Sequence, residues 1–249
     1  MSLESARNRD RAVGIFIAMQ ADSSLYSEDR FEVPRPVRTL RVGEVGPATS
    51  ACWVALHGYG ETARQMAERA RWPFGPARVW CFPEAPARFY VTEGQAGRSH
   101  ADLPVGASWM TRELREADIA ANHAFLDTAV ARLSLPSGTA LHVLGFSQGS
   151  ATAARWAASR AAAGQPPAGL IVWGGLLPPD LPIGPGTPMA QVPLTLVCGT
   201  RDRWIAEERF VAEVDRVHAA GQALRVRRFE GGHRFDDQVL QALAAEEGA

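Results

Sequence analysis

The chain has 249 residues, 46% of them hydrophobic, enough to bury a sizeable core as one large α/β domain. Its 26 basic and 27 acidic residues leave a net charge of -1, which excludes the basic stripe of a nucleic-acid binder and the acidic tail of a solvating segment. No apolar run is long enough for a membrane span, so a membrane protein of the helical kind is excluded as well.

Residues 1–40 read as an N-terminal extension packed on the domain, and 41–249 as a single catalytic domain. The extension carries the short apolar run "VGIFIAM", which suits an added strand, a covering helix or a subunit contact equally well. "RTLRVGEV" then reads as an early strand, "ACWVALHG" as an apolar strand closed by glycine, and "ARVWCFPEAP" as another closed by prolines. Leu114, Ala117, Ala121, Phe125, Ala129 and Leu133 recur at helical spacing. "TALHVLGFS" predicts a strand, followed by the helical "QGSATAARWAASRAAAG" that Gly164 closes. "GLIVWGGLLP" and "VPLTLVCGT" are further strands, and "AEERFVAEVDRVHAAG" is a helix ending at Gly221. "LRVRRFEGG" is the last strand, before the helical "DDQVLQALAAEE". Apolar strands separated by helices predict an α/β fold, a mostly parallel central sheet with helices on both faces.

Two stretches break this rhythm, residues 91–108 and 178–193, both rich in Gly, Pro and polar residues. Each is either a site-lining loop or a simple connection. Cys52, Cys81 and Cys198 sit in separate apolar runs without CxxC spacing, so they read as free buried thiols in a reducing, cytoplasmic compartment. No metal-ligand spacing and no phosphate-binding glycine loop is present, so no metal and no cofactor is expected.

The chemistry concentrates in "LHVLGFSQGSATAA". A strand running into Gly145-Phe146-Ser147-Gln148-Gly149 and then a helix is the pattern of a strained turn that lifts a serine hydroxyl clear of the sheet. The flanking positions must be nearly free of side chain for that turn to close. A serine needs a base to take its proton, and the base works best when a carboxylate fixes its tautomer. His233 in "RRFEGGHRF" follows the last strand, and Asp202 in "TLVCGTRDRW" follows the strand before. Ser, Asp, His is also the chain order this architecture uses. Asp180, after "LLPP", is the rival acid, and His100 is a substrate-contact candidate on a loop. His57 more naturally shapes its turn, while His142 lies within a strand and His123 and His218 on helices.

Acyl transfer builds negative charge on a carbonyl oxygen, which two preset main-chain N–H groups should meet. Gln148, next after the serine, supplies one. The turn "HGYGE" offers the other through Tyr59, unless that turn is only a tight connection.

"LHGYGE", "PEAP", "GFSQGS", "GGLLP", "CGTRD" and "GGHRF", in that order, resemble the α/β-hydrolase fold and, more narrowly, its phospholipase/carboxylesterase family. That family includes carboxylesterases, lysophospholipases and acyl-protein thioesterases. The resemblance runs from about Trp53 to Phe235 and implies Ser147 as nucleophile, Asp202 as acid, His233 as base, and Tyr59 and Gln148 as oxyanion donors. It also implies a substrate-lining aromatic at Trp109. Trp204 and Leu176, beside the acid and in "GGLLP", join it as expected lining of an apolar acyl site, with core packing the alternative for each tryptophan. Glu61 stands where the family often has aspartate, Arg203-Trp204 where it tends to have proline, and residues 91–108 match nothing in the pattern.

The expected function is hydrolysis of small to medium acyl esters through an acyl-enzyme, on a small-molecule ester substrate. Thioesterase and lysophospholipase activities use the same triad, and a non-catalytic ligand-binding protein on this scaffold is the different-class alternative. A homodimer is compatible with the sequence.

Overall fold

The computed structural model describes residues 27–93, 97 and 99–246. Two units divide the chain, Met1–Pro36 and Val37–Ala249. Within the first, the described residues from Ser27 onward form no helix or strand, and "VGIFIAM" lies outside the described residues. The second unit starts a few residues ahead of the expected boundary, because its first strand, β1 (Thr39–Val42), already belongs to the sheet.

Seven strands form one sheet in the order β1-β3-β2-β6-β7-β8-β9. These are β2 (Ala51–Leu56), β3 (Arg78–Pro83), β6 (Ala140–Phe146), β7 (Gly169–Trp173), β8 (Leu194–Gly199) and β9 (Leu224–Phe229), all parallel, with only β1 antiparallel to its neighbour. The interior strands are mostly apolar because both faces are covered, with His142 of β6 and Thr195 of β8 as buried polar exceptions. Successive side chains point to opposite faces. Cys52, Val54 and Leu56 thus join Val143, Leu170, Val172 and Leu196 in one core. Ala51, Trp53 and Ala55 join Leu144, Phe146, Ile171 and Trp173 in the other. Helices α2 (Arg115–Ala131), α3 (Gln148–Ala162) and α4 (Glu207–Ala219) bury Leu126, Ala153, Phe210 and Val217 on the first face. Helices α1 (Ala63–Glu68) and α5 (Asp237–Glu246) bury Met66, Leu240 and Leu243 on the second.

Local signals explain the boundaries. Thr62 and Gln65 form a reciprocal capping box at the start of α1. Gly164 and Gly221, at φ 75° and 71°, follow α3 and α4 in the left-handed conformation that ends a helix. At the sheet edge, β9 is only half-buried and carries Arg225, Arg227 and Arg228. Arg228 pairs with Glu207 of α4, and Arg227 with Glu246 of α5.

The structure adds elements that the sequence pattern did not suggest. Helix α1 is one. The other is a two-stranded hairpin of β4 (Ala87–Tyr90) and β5 (Val105–Ser108), so the end of the stretch 91–108 is a strand. The stretch 178–193 ends in a 3-10 turn, Pro188–Gln191, whose Met189 is buried in the first core together with Val192. Gln222 anchors it, accepting from Gly184 N–H (3.0 Å) and donating to the Met189 carbonyl (3.0 Å). The expected thiols are all free and buried.

Candidate active site

Ser147 sits between β6 and α3 at φ 53°, ψ -119°, a conformation that costs a non-glycine residue about 1–3 kcal/mol. Its surroundings hold it there. A Cβ on Gly145 would lie 2.5 Å from the Gly149 carbonyl oxygen, and one on Gly149 would lie 2.4 Å from the Leu56 carbonyl oxygen. The helix therefore starts hard against the neighbouring strand, where only glycine fits. Ser147 N–H donates to the Trp173 carbonyl of β7 (2.9 Å), fixing the turn from the other side.

Asp202 and His233 leave the sheet after β8 and β9. His233 Nδ1 lies 2.8 Å from Asp202 Oδ2, with the carboxylate side chain 1% exposed. Asp202 Oδ1 accepts from Trp204 N–H (2.8 Å) and Ile205 N–H (3.2 Å), so main-chain donors fix the carboxylate that faces the imidazole. The Phe146 ring, one residue before the serine, packs 4.8 Å from the imidazole centroid. Gly174, at φ 57°, makes the space: a Cβ there would sit 3.2 Å from two imidazole atoms and 3.5 Å from Asp202 Oδ2. The structure thus joins His233 and Asp202 by a hydrogen bond and sets the imidazole against Phe146 of the elbow. The Ser147 hydroxyl itself makes no hydrogen bond to a described residue. Serine–base bonds commonly tighten only when substrate is present.

The rival acid lies elsewhere. Asp180 is bound by Arg115 (2.8 Å) and Arg155 (2.7 Å). The Arg115 hydrogen bond is the main reason its carboxyl is held down at about 2.

The "HGYG" turn lies against Ser147: a Cβ on Gly58 would meet Ser147 Cβ at 3.3 Å. Within it, Gly58 N–H donates to Glu61 Oε2 (3.0 Å), and Gly60 N–H to the Ala107 carbonyl (2.9 Å). Tyr59 N–H has no partner among the described residues, nor has Gln148 N–H at the first position of α3. His57 braces the turn. Its Nδ1 donates to the Gly58 carbonyl (2.7 Å) while Nε2 accepts from Ala85 N–H (3.0 Å), so the ring is neutral. Burial pushes its pKa down to about 4, against weaker upward pulls from the Gly58 carbonyl and Glu84. The "PEAP" segment is thereby tied to "HGYG". Its Glu84 is buried, pairs with Arg38 (2.6 Å) and accepts from Ala63 N–H (3.3 Å).

The expected lining residues divide. Trp204 is 61% exposed and edge-on to His233, with centroids 6.4 Å apart. Leu176 is half-buried. Trp109 takes the core-packing alternative and not that of a substrate-lining ring. It is 1% exposed, packed 5.1 Å from His57, with its indole N–H on the His57 carbonyl (2.9 Å). An indole whose N–H is already satisfied inside the core is a brace for the turn rather than a wall of the site. His100 is placed only by its backbone, in a 3-10 turn with Asp102.

Sequence reasoning missed three contributors. Gly174 was signalled only by the doublet in "WGGLLP". Phe89, whose ring packs on Tyr59 at 5.1 Å, lies on the unexpected hairpin. The Gln148 side chain has its own set of bonds: it accepts from Trp109 N–H (3.1 Å) and donates to Ser108 Oγ and the Met110 carbonyl (3.0 Å each). No cluster of metal-ligating side chains exists among the described residues, and no described helix is long and apolar enough to cross a membrane.

A mostly parallel sheet with a strained serine at the end of its central strand, β6, and an Asp–His pair after β8 and β9, defines an α/β-hydrolase fold. Solved structures of that kind match along most of the chain. Acyl-protein thioesterase 2 of Zea mays is 23% identical over 84% of this chain and 99% of its own, with a TM-score of 0.57. Esterase PE8 is 21% identical over 84% and 97%, with a TM-score of 0.59. A carboxylesterase from Mesorhizobium loti is 19% identical over 84% and 94%, with a TM-score of 0.57. These likenesses carry the fold. No curated protein matches the chain in sequence. The model of the serine hydrolase (FSH1) family matches residues 54–238, from β2 through the start of α5, and the chain belongs to that family.

Proposed function

We propose that the protein is a serine carboxylic-ester hydrolase in which Ser147, His233 and Asp202 form the catalytic triad. The carrying observation is the 2.8 Å bond between His233 Nδ1 and a buried Asp202 carboxylate, set beside the elbow that presents Ser147. With Nδ1 donating to the carboxylate, Nε2 is the basic nitrogen. It takes the proton of Ser147 as Oγ attacks the ester carbonyl, and Asp202 stabilises the imidazolium formed. The oxyanion accepts from Tyr59 N–H and Gln148 N–H, an interaction of which each donor contributes about two to three orders of magnitude in rate. The imidazolium returns its proton to the departing alcohol. Water then repeats the sequence on the acyl-enzyme, giving the acid and free serine.

Trp204 and Leu176 line the acyl site in this reading, which suits small to medium apolar acyl groups. A thioester enters the same intermediate, as does a lysophospholipid, and the Zea mays neighbour is named a thioesterase. Three free buried thiols support a reducing, cytoplasmic setting.

The test is Ser147→Ala with a graded series of p-nitrophenyl esters from acetate upward, beside an acyl-CoA and a lysophospholipid. Turnover should fall on the order of a million-fold with the fold intact. A fluorophosphonate should label Ser147, and His233→Ala should suppress the labelling. Retained turnover in the serine variant, or equal labelling without His233, would remove these residues from the mechanism.

A further inference from the structure

We infer that strand β5 together with Trp109 and Met110, which continue it, is the template that sets the spacing of the two oxyanion donors, with Gly106 and the Gln148 side chain as its positioning residues. The inference rests on the oxyanion assignment proposed above. The two donors belong to different segments: Tyr59 to the turn after β2, Gln148 to the turn after β6. A single run of chain, Ala107 to Met110, grips both. Ala107 accepts from Gly60 N–H (2.9 Å) and donates to the Glu61 carbonyl (3.0 Å), a short ladder with the Tyr59 turn. The next three residues hold the Gln148 amide: its oxygen takes Trp109 N–H (3.1 Å) and its NH2 reaches Ser108 Oγ and the Met110 carbonyl (3.0 Å each).

Steric closeness makes the grip specific. A Cβ on Gly106 would lie 2.4 Å from the Gly60 carbonyl oxygen and 2.6 Å from its carbon, both main-chain atoms that cannot turn aside. The far end of the turn is pinned separately, by Gly58 N–H on Glu61 Oε2 (3.0 Å). Glu61 is itself paired with Arg69, whose guanidinium stands 4.7 Å over the Phe146 ring. The turn is thus held at 58, 60 and 61, which leaves the N–H at 59 unspent. Stabilisation of an oxyanion depends on donors that stand in place before charge develops. A displacement of about 1 Å can cost roughly a hundredfold in rate. The hairpin that the sequence pattern left unplaced therefore has a stated purpose: it carries the ruler between the two halves of the hole.

The experiment compares Gln148→Leu, which keeps the main-chain N–H but removes the amide bonds, with Gly106→Ala and the double variant. The readouts are kcat and KM for p-nitrophenyl butyrate, and Ki for a small alkyl boronic acid, whose adduct on serine places an oxygen in the hole. Each single variant should lose roughly ten- to a hundredfold in kcat with KM nearly unchanged, and the boronate Ki should rise by the same factor. Because one run of chain, Gly106 to Met110, serves both donors, the double variant should lose less than the product of the singles. Gln148→Leu turning over like the parent, or losing kcat and KM together with a lowered Tm, would overturn the template, and it does so even if Gly106→Ala fails to fold. Absence of fluorophosphonate labelling at Ser147 in the parent protein would instead bring down the triad reading, before any variant is compared.

Discussion

Two carboxylates competed for the role of catalytic acid, and replacing each by its amide separates them. Asp202 Oδ1 is fixed by the N–H groups of Trp204 and Ile205, so in Asp202→Asn the amide oxygen stays on those donors. The NH2 then faces His233 Nδ1, 2.8 Å away in the parent, and can only donate to it. Nδ1 must become the acceptor, the proton moves to Nε2, and the base has nothing with which to receive the serine proton. The comparable tautomer error in a serine protease triad costs about 10⁴ in kcat, or about 5.4 kcal/mol of barrier. Asp180→Asn removes a surface carboxylate from Arg115 and Arg155, and its effect on turnover should stay within about twofold. Initial rates with p-nitrophenyl butyrate at saturating concentration, on variants shown by circular dichroism to be folded, decide the matter. Asp180→Asn falling as far as Asp202→Asn, or Asp202→Asn remaining within tenfold of the parent, would refute the assignment.

Stability should fall with acid. Burial holds His57 and His142 down at about 4 against an ordinary 6.5. The unfolded chain takes up these protons first, so their stabilisation is whole above pH 6.5 and lost toward pH 4, about 3 kcal/mol for each ring. Urea unfolding across that window should show a steep decline, and a flat profile would count against neutral burial. Gly174→Ala should cut kcat by roughly a hundredfold, because its Cβ would press on the imidazole at 3.2 Å from a φ of 57°. Unchanged kinetics would mean that the ring has room to move. The thiols of Cys52, Cys81 and Cys198 are pushed up by burial to about 12, 12 and 11, so the native protein should resist iodoacetamide at pH 8 and react only on unfolding. Rapid alkylation of the native state would place a thiol at the surface.

The geometry of the candidate site was legible where a tight turn imposes a local rule. A serine at positive φ needs small neighbours, and "GFSQG" records that need in five letters. Asp202 and His233 could be picked out as a pair because strands announce their own ends, and the structure joins the two by a hydrogen bond. The alternating cores of β2 and β6 were equally plain, since continuous apolar runs between helices mean a doubly covered sheet. What stayed hidden was tertiary. Trp109 and Trp204 read alike in sequence, yet one is buried and bonded to the His57 carbonyl and the other is 61% exposed. The hairpin was obscure because Val105–Ser108 has a glycine where a strand would show a side chain, and that glycine is present for the sake of Gly60, over forty residues away in sequence. The amide of Gln148 was read only as the bearer of a main-chain donor, since nothing adjacent in the sequence says what its side chain will meet.

The arginines along β9 carry a consequence for how molecules meet in solution. An outermost strand invites a stranger's strand to extend the sheet, the first step toward fibres. Here an intruder, whether another molecule of the same kind or a half-made chain, would meet a fringe of cationic guanidinium groups tethered by Glu207 and Glu246 to the flanking helices. Stripping that fringe to alanine or valine should leave the catalytic rim intact and make the protein prone to clump.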